Sequence, residues 1–427
     1  MKKILCAILA VAMLLSLVAC GSEVTTSTPS EEPQEETAKV LTIDEVEKTA
    51  ASAMEKVEKA DFKIGLICLH DENSTYDNNF IQALKEVQAE LGLTDEQVLI
   101  KTNINEDDAC YNAAAEFVDA GCNIICADSF GHETYMIQAA KEFPEVQFCH
   151  ATGTHAQTEL VPNYHNAFAS IYEGRFLAGV AAGMKLNEMI EAGKITAEQA
   201  VIGYVGAFNY AEVVSGMTSF FLGARYICPS ATMKVVYTNS WFDIAKEKES
   251  ALNLINSGCV LISQHADSEG APKACEEKGV PNVAYNISTI SMGPNTALIS
   301  SKIDWSVYFK MIINTALEGG TIPTDYCGTM KEGAVKLTEL NEKAAAAGTQ
   351  EKIDEIKAKL ESGELKVFDT STFTVEGKEL TTYTADIVDA GDFVPDSEAI
   401  ADGAFAESSK RSAPYFDIKY IDGVSEL

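Results

Sequence analysis

Phe62-Lys63-Ile64-Gly65-Leu66-Ile67-Cys68-Leu69 is a short apolar run that empties into a polar loop, His70-Asp71-Glu72-Asn73-Ser74-Thr75-Tyr76. Beyond it, Asn79 to Leu91 sets Phe80, Leu84, Val87 and Leu91 on one face at helical period and stops at Gly92. A buried strand, a polar turn and an amphipathic helix are half of a β-α-β unit. The unit recurs outward from this stretch, with strands expected at Val98 to Lys101, Asn123 to Ala127 and Val146 to His150. Asp107 or Asp108 suits the cap of the next helix, and Phe143-Pro144 closes the third. Continuous apolar strands joined by helices imply a parallel sheet covered on both faces.

The same grammar restarts after a long helix, Ser170 to Ile190. Strands follow at Val201 to Val205, Met233 to Tyr237, Cys259 to Ser263 and Asn282 to Tyr285. Helices are expected at Ala211 to Ala224, Asp243 to Asn256 and Ala271 to Lys278, so two doubly wound α/β units stand in tandem. A strand at Ala297 to Ser300 and a helix at Ile303 to Leu317 come next. From Glu318 the texture changes to a helix at Glu351 to Glu361, a short Lys366 to Phe368 segment and a closing strand at Tyr415 to Ile421. This tail reads as an elaboration docked on the second unit. A helical lead at Thr42 to Ala60 precedes the first strand.

The N-terminus has Lys2 and Lys3, an apolar stretch from Ile4 to Val18, and Leu17-Val18-Ala19-Cys20-Gly21. That is the layout of a signal peptide. The apolar run, about 15 residues, falls short of the roughly 20 a spanning helix needs. The lipobox-like residues imply cleavage before Cys20 and a lipid on its thiol. Ser22 to Ala38, rich in Ser, Thr, Pro and Glu, reads as a disordered tether behind that anchor.

A net charge of −32 argues against nucleic acid, whose phosphates need Lys and Arg, and against adsorption to anionic lipid. Of eleven cysteines, Cys6 leaves with the signal and Cys20 carries the lipid. The remaining nine cannot all pair. Most sit in apolar runs such as Asn123-Ile124-Ile125-Cys126 and read as free thiols packed as small hydrophobes.

Signatures of catalysis are missing: there is no Gly-x-Ser-x-Gly, no phosphate-binding Gly-x-x-x-x-Gly-Lys, no Gly-x-Gly-x-x-Gly and no His-Glu-x-x-His. The six histidines are scattered, so neither a metal site nor a cofactor is expected. What recurs is aromatic and acidic residues just past strand ends, where doubly wound sheets bind ligands. These are Tyr76 after the first strand, Asp128 and Phe130 after the third, and Phe208 with Glu212 after the first strand of the second unit. Trp241, His265 with Asp267, and Asn286 follow the next three. Rings stack on a planar ligand while carboxylates and amides read its edges.

Several strings resemble the basic membrane protein family of ABC-transporter substrate-binding lipoproteins. They include Tyr172-Glu173-Gly174-Arg175-Phe176-Leu177-Ala178-Gly179, Ile202-Gly203-Tyr204-Val205-Gly206-Ala207-Phe208 and Asn239-Ser240-Trp241-Phe242-Asp243. Phe143 to Phe148 with Ala151-Thr152-Gly153, Gln264-His265-Ala266-Asp267-Ser268 and Arg411 to Asp417 carry the same likeness. The resemblance implies an α/β type I periplasmic-binding-protein fold, two doubly wound parallel-sheet lobes joined by a three-strand hinge. It sets the boundaries as 1–19 signal peptide, 20–40 lipidated cysteine and tether, 41–165 plus 288–320 first lobe, and 166–287 plus 321–427 second lobe with the C-terminal elaboration.

The resemblance further implies a small-molecule cargo, a purine base or purine nucleoside, delivered to an ABC permease by a membrane-anchored monomer. Phe208 and Tyr76 would flank the purine with Trp241 nearby, and Asp267 would accept from a ring N–H or exocyclic amine. Asp128, Phe130, Glu212, His265 and Asn286 would complete the lining. Nucleoside-binding relatives carry a lysine three residues before an aspartate where Ser301 precedes Asp304 here. Their ribose-holding acid is replaced within Ala284-Tyr285-Asn286-Ile287-Ser288, and Ser74 stands where a tryptophan is frequent. These departures favour a free base such as adenine or hypoxanthine. A same-fold sensor for a membrane signalling partner and a surface nucleoside hydrolase are the competing readings.

Overall fold

A computed structural model describes residues 53–387 and 397–427. The expected signal peptide, Cys20 and the expected tether lie outside the described residues, as does most of the expected helical lead. Residues 53–60 are not helical: Met54 forms a bridge with Gly320, its N–H donating to the Gly320 carbonyl at 2.7 Å.

The first lobe is built on a six-stranded, all-parallel sheet. Its chain order begins β1 (Ile64–Ile67), α1 (Thr75–Leu91), β2 (Val98–Lys101), α2 (Asp108–Asp119), β3 (Ile124–Ala127), α3 (Glu133–Glu142), β4 (Gln147–Ala151) and β5 (Tyr164–Ala169). Ser74 caps α1, accepting from the Asp77 N–H, and Gly92 ends it in the left-handed conformation that glycine adopts without strain. Asp107 caps α2 through the Ala109 N–H, at 2.8 Å. β5 has no apolar run to announce it. Its His165 and Asn166 are buried because they bond Gln147 and Asp325, so a polar strand sits inside the sheet.

The second lobe follows as α4 (Ile171–Glu191), β6 (Val201–Gly206), α5 (Ala211–Ile227), β7 (Thr232–Tyr237), α6 (Ile244–Asn256), β8 (Leu261–His265), α7 (Gly270–Lys278), β9 (Asn282–Tyr285) and β10 (Ala297–Ile303). A Cβ on Gly179 of α4 would lie 2.0 Å from the Phe220 carbonyl of α5, and one on Gly223 would lie 2.0 Å from the Phe176 carbonyl. Only glycine lets the two backbones approach this closely.

β10 corrects the expected boundary, since it pairs with β9 in the second sheet instead of returning to the first lobe. The return begins after it: α8 (Trp305–Glu318) packs on α1, with Trp305 stacked 4.2 Å from Phe80. The boundary expected at 165/166 likewise falls inside β5, so the crossing is at Ser170. β11 (Asp325–Gly328) then joins the edge of the first sheet, and β12 (Val335–Leu337) runs antiparallel to β10 in the second. The chain therefore crosses between the sheets three times, near Ser170, Asp304 and residues 329–334. The crossings are bonded side by side, Ser170 N–H to the Gly328 carbonyl at 2.9 Å and Asp304 N–H to the Ala334 carbonyl at 2.8 Å.

After α9 (Thr349–Glu361) the tail departs from expectation at its closing strand. Residues 366–368 and 415–421 form no strand; the closing ladder is β13 (Val424–Glu426), parallel to β7 at the edge of the second sheet. Before that, Ser412 donates to Asp325 and Asn166 donates to Ser412, which ties the tail to the first lobe as well. The nine described cysteines are unpaired, and eight are buried. Among the described residues no helix is long and apolar enough to cross a membrane.

Candidate functional site

The carboxyl ends of the strands of both lobes face each other across a cleft. On the first lobe, Asp77 is buried at the start of α1. One of its oxygens accepts from the His70 N–H at 2.7 Å, the other from the Ser74 hydroxyl at 2.5 Å. Burial works against its charge, yet the hydrogen bonds from His70 and Ser74 outweigh that and hold its pKa below the ordinary value. Behind it, Asp128 is fully buried; one oxygen accepts from the Leu69 N–H at 3.2 Å and the other has no partner. Burial, then the nearby Asp77 charge, push the Asp128 pKa well up, opposite to the shift of Asp77. Tyr76 lies over this pair, its hydroxyl donating to the Asp128 carbonyl at 2.8 Å.

On the second lobe, Glu212 comes from the first turn of α5, and His265 and Asp267 from the end of β8. Glu212 Oε1 lies 3.6 Å from His265 Nε2. Burial raises the Glu212 pKa to about 7, an increase that Arg175 partly offsets. The same burial, with the Arg175 charge, pushes His265 well down and keeps it neutral. Arg175 reaches in from α4, its guanidinium 3.4 Å from the Tyr285 ring centroid and its Nη1 donating to the Gln264 carbonyl at 3.0 Å. Burial and the charges of Glu247, Asp77 and Glu212 raise Asp267 well above a normal carboxyl.

The lobes touch directly here. The Thr75 N–H donates to the Asp267 carbonyl at 2.7 Å, and the Asn286 amide donates to Asp267 Oδ1 at 3.1 Å and to the Thr75 hydroxyl at 3.4 Å. Between the lobes lies a narrow inner chamber whose internal cavity is about 20 Å³, or about 370 Å³ when the open space at its mouth is counted. Tyr76, Phe130, Glu212, Trp241, His265 and Asp267 line it, together with Leu69, His70, Asp77, Ser129 and Thr152. An outer chamber of about 860 Å³ shares Phe130, Thr152, Glu212 and Trp241 with it and is bounded on the far side by the tail residues Asp386, Arg411, Ala413, Pro414 and Asp417.

Three expected ligand contacts stand one layer back. Asp128 lies under Tyr76, and Asn286 braces Asp267. Phe208 does not reach the inner chamber: it stacks on Tyr210 at 5.0 Å and meets Trp241 edge-on at 5.0 Å, buttressing the ring that does. Sequence reasoning missed Asp77, although Ser74-x-x-Asp77 is a helix-start signal that could have found it. It also missed Thr152 and the tail residues, for which no local signal exists. Donor atoms of Cys68, Asp77 and Asp128 lie within 4.8 Å of one another, a grouping that could hold a metal ion. Both Asp77 oxygens there accept hydrogen bonds from His70 and Ser74, while one Asp128 oxygen has no partner.

A family model described as ABC transporter substrate-binding protein PnrA-like matches residues 66–369. The chain belongs to the Bmp family. A purine-binding protein of Brucella abortus is 31% identical over 333 residues, covering 77% of this chain and 88% of its own. A Haloferax volcanii protein named for glucose binding is 32% identical over 267 residues, covering 62% of this chain and 63% of its own. Among solved structures, an ABC transporter solute-binding protein from Aeropyrum pernix matches with a TM-score of 0.59 at 17% identity, over 72% of this chain and 93% of its own. Bmp proteins are the solute-binding components of ABC transporters: they take up a small molecule outside the cytoplasm and work with a permease. The two-lobed α/β architecture is the one such a clamp requires.

Proposed function

We propose that this Bmp protein captures a purine base of the adenine or hypoxanthine kind, with a purine nucleoside as the larger alternative, and hands it to an ABC importer. The observation that carries the reading is the inner chamber, where rings from both lobes, Tyr76 and Phe130 on one side and Trp241 on the other, surround the carboxylates of Asp77, Glu212 and Asp267. Flat faces meet aromatic rings while the N–H groups of the ligand edge meet acceptors. The lobes stand too close in this structure for a base to enter without some opening, and a ribose would extend into the outer chamber. The Brucella relative supports the same cargo.

Binding free energy shifts the equilibrium between open and closed lobes, the three crossings acting as the hinge, and no covalent step is needed. In this reading Cys20 bears the lipid and residues 21–40 are the tether that keeps the clamp at the membrane. A sugar is the second reading, because aromatic rings with carboxylates also suit hydroxyl donors and one relative is named for glucose. Titration calorimetry with adenine, hypoxanthine, their nucleosides and glucose separates the two. Micromolar or tighter binding of a base is expected, and a panel in which no purine binds overturns the proposal.

A further inference from the structure

Thr152 closes β4 and lines both chambers, at the point where they meet. Its backbone is left-handed, φ 67°, and it is the β-branched residue among the eight described non-glycine residues with positive φ. That conformation is strained for a branched side chain and persists only where the surroundings over-determine it. The surroundings do so. Glu133, 4% exposed, accepts from the Thr154 N–H at 3.1 Å, the His155 N–H at 2.9 Å and the Tyr164 hydroxyl at 2.9 Å, while its Oε2 lies 2.7 Å from the His155 ring nitrogen Nδ1. Asn166 takes the Gly153 N–H at 2.6 Å. The loop is clasped immediately after the strained residue.

The clasp leaves one group uncommitted. Thr152 is 3% exposed, and its Oγ1 has no hydrogen-bond partner within the protein. The other hydroxyls lining the inner chamber are engaged, Tyr76 with the Asp128 carbonyl and Ser129 with Glu106 Oε1 at 2.6 Å. Acceptors are plentiful there: Asp77, Glu212 and Asp267 all present carboxyl oxygens. Among the hydroxyls that line the inner chamber, that of Thr152 alone is uncommitted.

We propose that Thr152 is a specificity-determining residue whose hydroxyl donates to an acceptor on the ligand, a ring nitrogen or exocyclic oxygen, while the carboxylates take its N–H groups. The assignment rests on the purine reading and deepens it: the cargo is a heterocycle with N–H donors on several edges and an acceptor facing Thr152. Strain held by the Glu133 clasp keeps the hydroxyl pointed at the ligand before it arrives.

The test is calorimetric affinity for adenine and hypoxanthine, with the melting temperature of the empty protein, in Thr152→Val, Thr152→Ser and Thr152→Gly. Valine keeps the shape and removes the hydroxyl, so affinity for the better purine should fall by about tenfold, the worth of one hydrogen bond. Serine keeps the hydroxyl and should bind within about threefold of the native protein, by the same accounting. Glycine relieves the strain, so its melting temperature should rise while its affinity falls as in the valine variant. A valine variant that folds and binds both purines like the native protein overturns the assignment alone, as does a glycine variant that melts higher without losing affinity. If valine fails to fold, the serine and glycine pair decides. A native protein that binds no purine overturns the cargo and the assignment together.

Discussion

Asp77 in the first lobe accepts two short hydrogen bonds and stays ionised, whereas Glu212 and Asp267 in the second lobe are buried with less support and hold protons toward neutral pH. The first-lobe wall is a hydrogen-bonded frame: Ser74 and His70 around Asp77, Glu133 around residues 154–155. The second-lobe wall is a packed one, with Phe208, Tyr210 and Trp241 leaning on each other and Arg175 laid on Tyr285. One lobe thus presents a pre-set acceptor, and the other an aromatic surface beside Glu212, whose pKa burial raises to about 7. A ligand closing the cleft meets a fixed template on one side and an adjustable one on the other.

The frame breaks most expensively. Glu133→Gln leaves N–H groups of the clasp facing an amide donor and should cost about 3 kcal/mol of stability by thermal or urea unfolding. Burial raises the Glu133 pKa, but the His155 hydrogen bond and the His150 and His155 charges outweigh it and bring it to about 2. Its contribution is therefore full above the ordinary glutamate pKa and fades as pH falls toward 2. A variant as stable as the native protein would mean the first-lobe frame is not what holds Thr152.

The packed wall should act on affinity more than on folding. Trp241→Ala removes a ring that lines the chamber and should weaken purine binding by about 1 to 3 kcal/mol, roughly 5- to 150-fold. Phe208→Ala, which removes only the buttress, should weaken it less. Equal losses in titrations of the two would place Phe208 against the ligand after all.

The smallest effect is the pH response of affinity, and it belongs to Glu212 in the second lobe. Glu212 and Glu247 both have pKa values raised to about 7 by burial, so the folded state holds protons that the unfolded chain releases above the ordinary glutamate pKa. The stability of the empty protein should fall as pH rises from about 4.5 toward 8, as these two groups and then the buried Glu407, raised to about 8, lose protons that the unfolded chain has already released. Purine affinity should rise a few-fold over the upper part of that range as Glu212 becomes a full acceptor. Glu212→Gln should flatten the affinity profile, and a profile unchanged by it would assign the titration elsewhere.

The repeating strand-loop-helix pattern was legible in the sequence because buried parallel strands are apolar throughout, and the loops after them announced six of the lining residues. β5 was not, since His165 and Asn166 are buried through partners distant in the chain. The tail misled for the same reason: Tyr415 to Ile421 has a strand's composition, but Tyr415 and Phe416 donate their backbone N–H groups to Glu407 instead of to a neighbouring strand. Thr152 was invisible because a positive φ leaves no trace in a Thr-Gly-Thr string. Asp128, Phe208 and Asn286 were found by position but do not line the inner chamber, since distance from a strand end says which loop faces the cleft and not which side chain fills it.

The central claim, a purine base held between the two walls, meets its most direct test in paired titrations of adenine and glucose into the native protein at neutral pH. Micromolar or tighter binding of adenine with no heat from glucose is the expected result. Saturable binding of glucose with none of adenine would contradict it.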